Sequence, residues 1–237
     1  MRTQPELCSL FVLATMFTVD RRSPAVQERS EQLLQWAEQG FEVQGQWEQL
    51  GDALELHAEL AFYQEDFPRA LTLAYQARPH LSRESVLYPD NLLANALEAF
   101  LAGEVDGAWP SLVESLELSK RINSVVNVFS TFLYLGGICL EKGELQQASH
   151  YYHQALSFIE HDQELSRQQF LATGNMDPFF TSWVYHSLAQ LSYERNELAL
   201  RTMPEEAVHI FTSGGLIQAR LLHASGETAR SGRRSWG

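Results

Sequence analysis

Three groups of residues in this chain have types and spacings that chemistry can use. His150 and His153 are spaced i, i+3, and His161 lies two turns beyond. A helical zinc pair needs further ligands converging from elsewhere, and no Cys, Asp or Glu is spaced to supply them. These histidines therefore read as a solvated helix face, and no metal is expected. The second group is the thiols. Cys8 and Cys139 are the only cysteines, too far apart in sequence to suggest a disulfide framework or a cysteine zinc site, and they suit a reducing cytoplasm. Cys139 falls at a small-residue packing position, where a thiol acts as a small hydrophobe. Neither Ser213-Gly214-Gly215 nor Gly136-Gly137 belongs to a nucleophile elbow or a phosphate loop. No acid–base pair stands out from the general excess of carboxylates. The expectation is a protein with no catalytic residue and no cofactor, not an enzyme.

The third group is Trp183, His186, Gln190 and Tyr193, which run i, i+3, i+7, i+10 and so form one helical stripe. Aromatic rings alternating with hydrogen-bonding groups suit a small polar ligand such as a sugar, or a peptide. The ordinary alternative is that Trp183 and Tyr193 pack against the following helix. It is the favoured one, because aromatic stripes at helical spacing are usually core.

The elements that must position these residues announce themselves as a repeat. The clearest copy runs Phe132-x-x-Leu135-Gly136-x-x-Cys139, then Gly143-Glu144-Leu145-x-x-Ala148-x-x-x-Tyr152-x-x-Ala155. Earlier copies place Ala58 and Ala61 before Ala70, Ala74 and Ala77, and Ala96 and Ala99 before Ala108, Leu112 and Ser115. A weaker copy carries Ala189 and Asn196-Glu197-Leu198, with Arg201 where the alanine should be and Pro204 beyond it. Antiparallel helices approach closely only where side chains are small, which is why Ala, Gly, Ser or Cys recurs at the crossings. Ala70, Ala108 and Ala148 step by 38 and then 40 residues, longer than the tetratricopeptide unit of about 34.

The expected fold is all-α, a right-handed solenoid of antiparallel, tetratricopeptide-like helix pairs. Helices are expected at 5–19, 24–41, 46–64, 68–80, 89–102, 106–121, 124–142, 145–161, 164–173, 178–195, 198–210 and 215–229. They form a single domain over 1–230, with clear repeats at 47–81, 89–121, 124–161 and 178–210. The tail 231–237 has no helical period. The apolar run Leu7–Phe17 has Glu6 before it and no small-x-small site after it, so it reads as a buried first helix and not as a secretory leader. It is also too short to span a membrane. Formal net charge is −13, which repels phosphate backbones and argues against direct nucleic-acid binding.

The stretch 130–200 resembles the MalT-like repeat region of large LuxR-type, ATP-dependent bacterial transcriptional activators. Two phrases carry the likeness: Leu133-Tyr134-Leu135-Gly136-Gly137 with Lys142-Gly143-Glu144-Leu145-Gln146-Gln147-Ala148, and Ser187-Leu188-Ala189-Gln190-Leu191-Ser192-Tyr193-Glu194-Arg195-Asn196-Glu197-Leu198. The resemblance implies a repeat region that binds an inducer or partner protein, between a nucleotide-binding switch and a helix-turn-helix. This sequence contains no G-x-x-x-x-G-K-[ST] loop and no recognisable DNA-reading module. It therefore looks like the sensor piece alone, whether a fragment, a split product or a stand-alone repeat protein.

In tetratricopeptide arrays the first helix of each pair lines the concave face. Carrying the register across predicts a groove of Glu55, Glu59 and Tyr63, then Leu93, Leu97 and Leu101, then Leu133 and Glu141, and finally the Trp183–Tyr193 stripe. The expected occupant is a protein or peptide partner, a small-molecule inducer, or both. A protein–protein scaffold with no link to transcription is the alternative. Apolar Leu10, Phe11, Leu13 and Phe17 make self-association through the solenoid end a further expectation.

Overall fold

Helix termination follows one rule at five helix ends, the helix that ends at Ala77 being an exception. Gly45, Glu65, Gly103, Asn123 and Gly143 each take a left-handed φ of 54–79° just past a helix end. The residue after each donates its N–H back across the turn: Asp66 to the Ala61 carbonyl at 3.0 Å, Glu104 to Ala99 at 2.8 Å, Glu144 to Cys139 at 2.8 Å. This is the Schellman arrangement, which satisfies the last carbonyls and turns the chain within three residues. Glycine is the residue that enters this conformation without strain, and the Gly-Glu turns of the repeat are these stops. Asp66 and Ser124 then cap the next helix, accepting from the N–H of Arg69 and Asn127 respectively.

The computed structural model describes residues 4–18, 23–161 and 184–191, with the side chains of 13–18 and 158–161 excepted. Every regular element among them is helical. In order these are α1 (Pro5–Thr18), α2 (Pro24–Gln44), α3 (Trp47–Tyr63), α4 (Phe67–Ala77), α5 (Tyr88–Leu101), α6 (Val105–Arg121), α7 (Val125–Glu141) and α8 (Leu145–His161). A further helix, α9, covers 184–191. The expected helices 164–173, 198–210 and 215–229 and the tail 231–237 lie outside the described residues. None of the described helices is long and apolar enough to cross a membrane.

Packing is closest within α3·α4, α5·α6 and α7·α8, with α2·α3 and α6·α7 joining successive pairs and α5 reaching α7 directly. The small residues sit at the crossings: Ala58, Ala70, Ala77, Ala96, Ala108, Cys139, Ala148, Ala155 and Ala189 are all buried. Gly136 is the tightest case, because a Cβ there would lie 2.4 Å from Tyr152 Cε1. A core centred on α5–α9 holds Leu112, Phe129, Leu133, Ile138 and Tyr152, and two smaller clusters lie under α1–α4.

One boundary differs in an instructive way. The sequence ends α2 at residue 41, but the helix continues to Gln44. Gly40 is not a stop: Pro5 of α1 packs on it, with Pro5 Cβ 2.9 Å from where its own Cβ would be. The stop is Gly45, at φ 68°.

Candidate functional site

Three successive first helices, α3, α5 and α7, share one concavity, with α4 closing a side. The cavity has a volume of about 120 Å³ and opens to solvent. Glu55, Glu59, Phe62 and Tyr63 line it from α3, and Phe67 and Leu71 from α4. Asp90, Leu93 and Leu97 come from α5, and Val126, Asn127, Ser130 and Tyr134 from α7. The walls are thus apolar and aromatic, with three carboxylates and no Lys, Arg or His among the lining residues. Few polar groups on an apolar wall is the ordinary make-up of a ligand pocket.

Glu55 is the most constrained of the carboxylates, at 2% exposure. Asn91 Nδ2 donates to its Oε2 at 2.6 Å and also reaches the Ala74 carbonyl at 2.7 Å. Burial pushes the Glu55 carboxyl up to about 8; the Asn91 hydrogen bond and Arg78 pull it down, while Asp90 and Asp52 add to the rise. Asp90, half-buried on α5, is likewise raised by burial, against a hydrogen bond from Asn127. Tyr134 is raised by burial alone.

Of the residues expected in the groove, Glu55, Glu59, Tyr63, Leu93 and Leu97 meet here. Leu101, Leu133 and Glu141 do not line it. Leu133 is 1% exposed in the main core, and Glu141 is exposed at the end of α7. The reason is geometric. With the helices aligned on Ala58, Ala96 and Gly136, the lining set moves about one turn (3.6 residues) toward the N-terminus at each successive first helix. The cavity runs diagonally across the helices, so a register carried straight across overshoots on α7. Asp90, Val126, Ser130 and Tyr134 were missed for this reason, although Asp90, Leu93 and Leu97 make one i, i+3, i+7 stripe.

His186 and Gln190 are half-buried on α9, whereas Trp183 and Tyr193 lie outside the described residues. The stripe as a whole therefore falls partly outside the described residues. His153 Nδ1 donates to the Ser149 carbonyl at 2.7 Å, a local helix contact. Among the described residues no group of three or more His, Cys, Asp or Glu is arranged to hold a metal ion. Cys8 and Cys139 are both free thiols.

A second polar cluster, unmarked by any sequence motif, lies between α2, α3 and α4. His57, 3% exposed, places Nδ1 2.6 Å from Glu38 Oε1 and Nε2 3.1 Å from Glu31 Oε1. Arg69 donates to the same Glu31 oxygen and lies 2.7 Å from His57 Nε2. Burial opposes the imidazolium, but the Glu38 hydrogen bond and the two carboxylate fields outweigh it and hold His57 above its usual value. Glu31 is raised by burial yet brought lower overall by Arg69 and His57.

The fold so defined is all-helical among the described residues. A crystal structure of BtubC (BKLC) from P. vanneervenii is similar to it at a TM-score of 0.51, with 14% sequence identity over 92% of each chain. At that identity the likeness is one of fold. No family model and no curated protein matches the sequence.

Proposed function

We propose that this chain is a non-catalytic binding module, built as a right-handed α-solenoid of tetratricopeptide-like helix pairs whose concave face receives an inducer or a partner protein. One observation carries the reading: a single cavity is lined at once by the first helices of three successive pairs, through Glu55, Glu59, Tyr63, Leu93, Leu97 and Tyr134. The diagonal drift of the lining set supports a superhelical array, because repeats stacked with a constant small rotation produce it. The likeness of 130–200 to the MalT-like region supports a place in a signal-responsive transcriptional regulator. The alternative is a scaffold unconnected with transcription, and in it the same cavity anchors a peptide.

The test uses the full chain and its Leu97→Asp variant, which puts a charge on the cavity wall. Thermal shift against sugars and amino compounds, together with affinity capture, reads binding. A ligand or partner held by the parent and lost by a variant of unchanged helicity supports the reading. Binding that is indifferent to Leu97→Asp sinks it.

A further inference from the structure

We propose that the α3/α5/α7 cavity is a site for a protonated amine carried on an apolar or aromatic stem, the ammonium group held by Glu55 and Asp90 and the stem by the aromatic wall. The inference rests on the binding-module reading and names its ligand chemistry.

Charge comes first. The lining includes Glu55, Glu59 and Asp90 and no cationic side chain, so an anionic guest would meet only repulsion. A neutral guest offers these carboxyl groups at most an ordinary hydrogen bond, whereas a cation offers a charge-assisted one. A cation supplies what the wall lacks. Glu55 makes one hydrogen bond, from Asn91 to Oε2, and takes none at Oε1 from any described residue, although it is only 2% exposed. Glu55 lines the cavity, so Oε1 is an acceptor that a donor entering there can reach, and an ammonium brings three.

Shape gives the stem. Phe62, Tyr63, Phe67 and Tyr134 reach the lining from three helices, and Leu93 and Leu97 add apolar wall from a fourth. Aromatic faces attract a cation and its adjoining methylenes, and a desolvated setting strengthens both effects. The charges around Glu55 come from Asp52 and Glu59 on its own helix, Arg78 after α4 and Asp90 on α5. With the Glu55 carboxyl near 8, an arriving ammonium displaces its proton, so affinity rises from about pH 6 to about pH 8. The amine itself keeps its proton throughout that range.

Isothermal titration tests this with four probes on the full chain: 2-phenylethylamine, its neutral counterpart 2-phenylethanol, 3-phenylpropanoate, and a short peptide carrying Lys beside Phe. The amine is expected to bind at least about tenfold tighter than the alcohol, and the acid not at all. Glu55→Gln and Asp90→Asn are each expected to weaken amine binding about tenfold and leave the alcohol unchanged, which also shows that the cavity is intact. The peptide, compared with its norleucine form, tells a free amine from a lysine side chain as the source. Equal affinity for amine and alcohol, or amine binding untouched by both substitutions, overturns the proposal while leaving a binding cavity in place. Failure of every probe at millimolar concentration overturns it too, and binding of some other ligand sensitive to Leu97→Asp would still uphold the module.

Discussion

Asn91 on α5 places one amide nitrogen 2.6 Å from Glu55 Oε2 and 2.7 Å from the Ala74 carbonyl, so a single side chain joins α3, α4 and α5. The α4–α5 connection is the loosest between neighbouring helices from α1 to α8, which makes this bond the main polar tie across the junction. The Ala74 carbonyl also accepts the Arg78 N–H at 3.1 Å, so the nearly buried Glu55 carboxyl is the acceptor that depends on Asn91.

Asn91→Ala is therefore expected to destabilise the chain by about 1–3 kcal/mol, because the buried Glu55 carboxyl loses its donor while the Ala74 carbonyl keeps only the Arg78 N–H. Urea unfolding monitored by circular dichroism measures it. Asn95→Ala, one turn on, removes a half-buried bond to Ser111 and should cost less, about 1 kcal/mol or below. Equal effects would deny Asn91 its special place.

The Glu55 carboxyl, raised from 4.5 to about 8, carries a definite sign. Its folded-state pKa exceeds the unfolded one, so its contribution is fully present below about pH 4.5 and is lost as pH rises through about 8. Glu55→Gln, which mimics the protonated form, should match the parent near pH 5. By pH 9 it should be the more stable, by a margin on the order of 3 kcal/mol. Denaturant midpoints at the two pH values decide it. A variant less stable than the parent at pH 9 would show that the ionised carboxylate is the form this site prefers.

How much of this was legible beforehand follows from the range of the interactions. The stops at Gly103 and Gly143 depend on neighbours within six residues, so sequence places them to within a residue or two. The crossings at Ala58, Ala96 and Gly136 recur with the repeat, and repetition makes a long-range contact visible. The role of Gly40 was not legible, because its partner is Pro5, far away in sequence and in no repeating register. On α7 the sequence fails for a different reason. Buried residues lie all round that helix, including Asn127, Phe129, Leu133 and Ile138, so hydrophobicity cannot tell the cavity side from the core side. The His57 cluster joins helices with no motif between them, and nothing in the sequence marks it.

Two glycines separate steric crowding from backbone strain. A methyl group at Gly136 would press into the Tyr152 ring, 2.4 Å from Cε1, and that ring is 2% exposed with nowhere to swing. Gly136→Ala is expected to cost about 1–3 kcal/mol through overpacking. Gly143 has nothing within 4 Å of its would-be Cβ, so Gly143→Ala meets only the left-handed φ of 73°, costing about 1 kcal/mol. Tyr152→Leu should relieve the first and not the second. Double-mutant cycles in urea test this, and coupling is expected for Gly136 alone.

His57 gives the last prediction, and its sign opposes intuition about buried histidines. Its pKa is raised above 6.5 by the Glu38 hydrogen bond and the Glu31 field, despite burial and despite Arg69 at 2.7 Å. A raised folded-state pKa means the contribution is fully present below about 6.5 and is lost as pH climbs through the folded value. His57→Gln keeps a polar side chain but cannot take up the proton. The variant should be weaker than the parent at pH 5.5, by about 1.5–3 kcal/mol for charge-assisted bonds to two carboxylates. The gap should shrink as pH climbs through the folded value and the parent's ring loses its proton. The Glu55 effect falls over a similar range in both chains and cancels in the difference, so the two titrations separate cleanly. A gap that widens with pH would mean that His57 is held neutral, with Nε2 accepting from Arg69 instead of donating to Glu31.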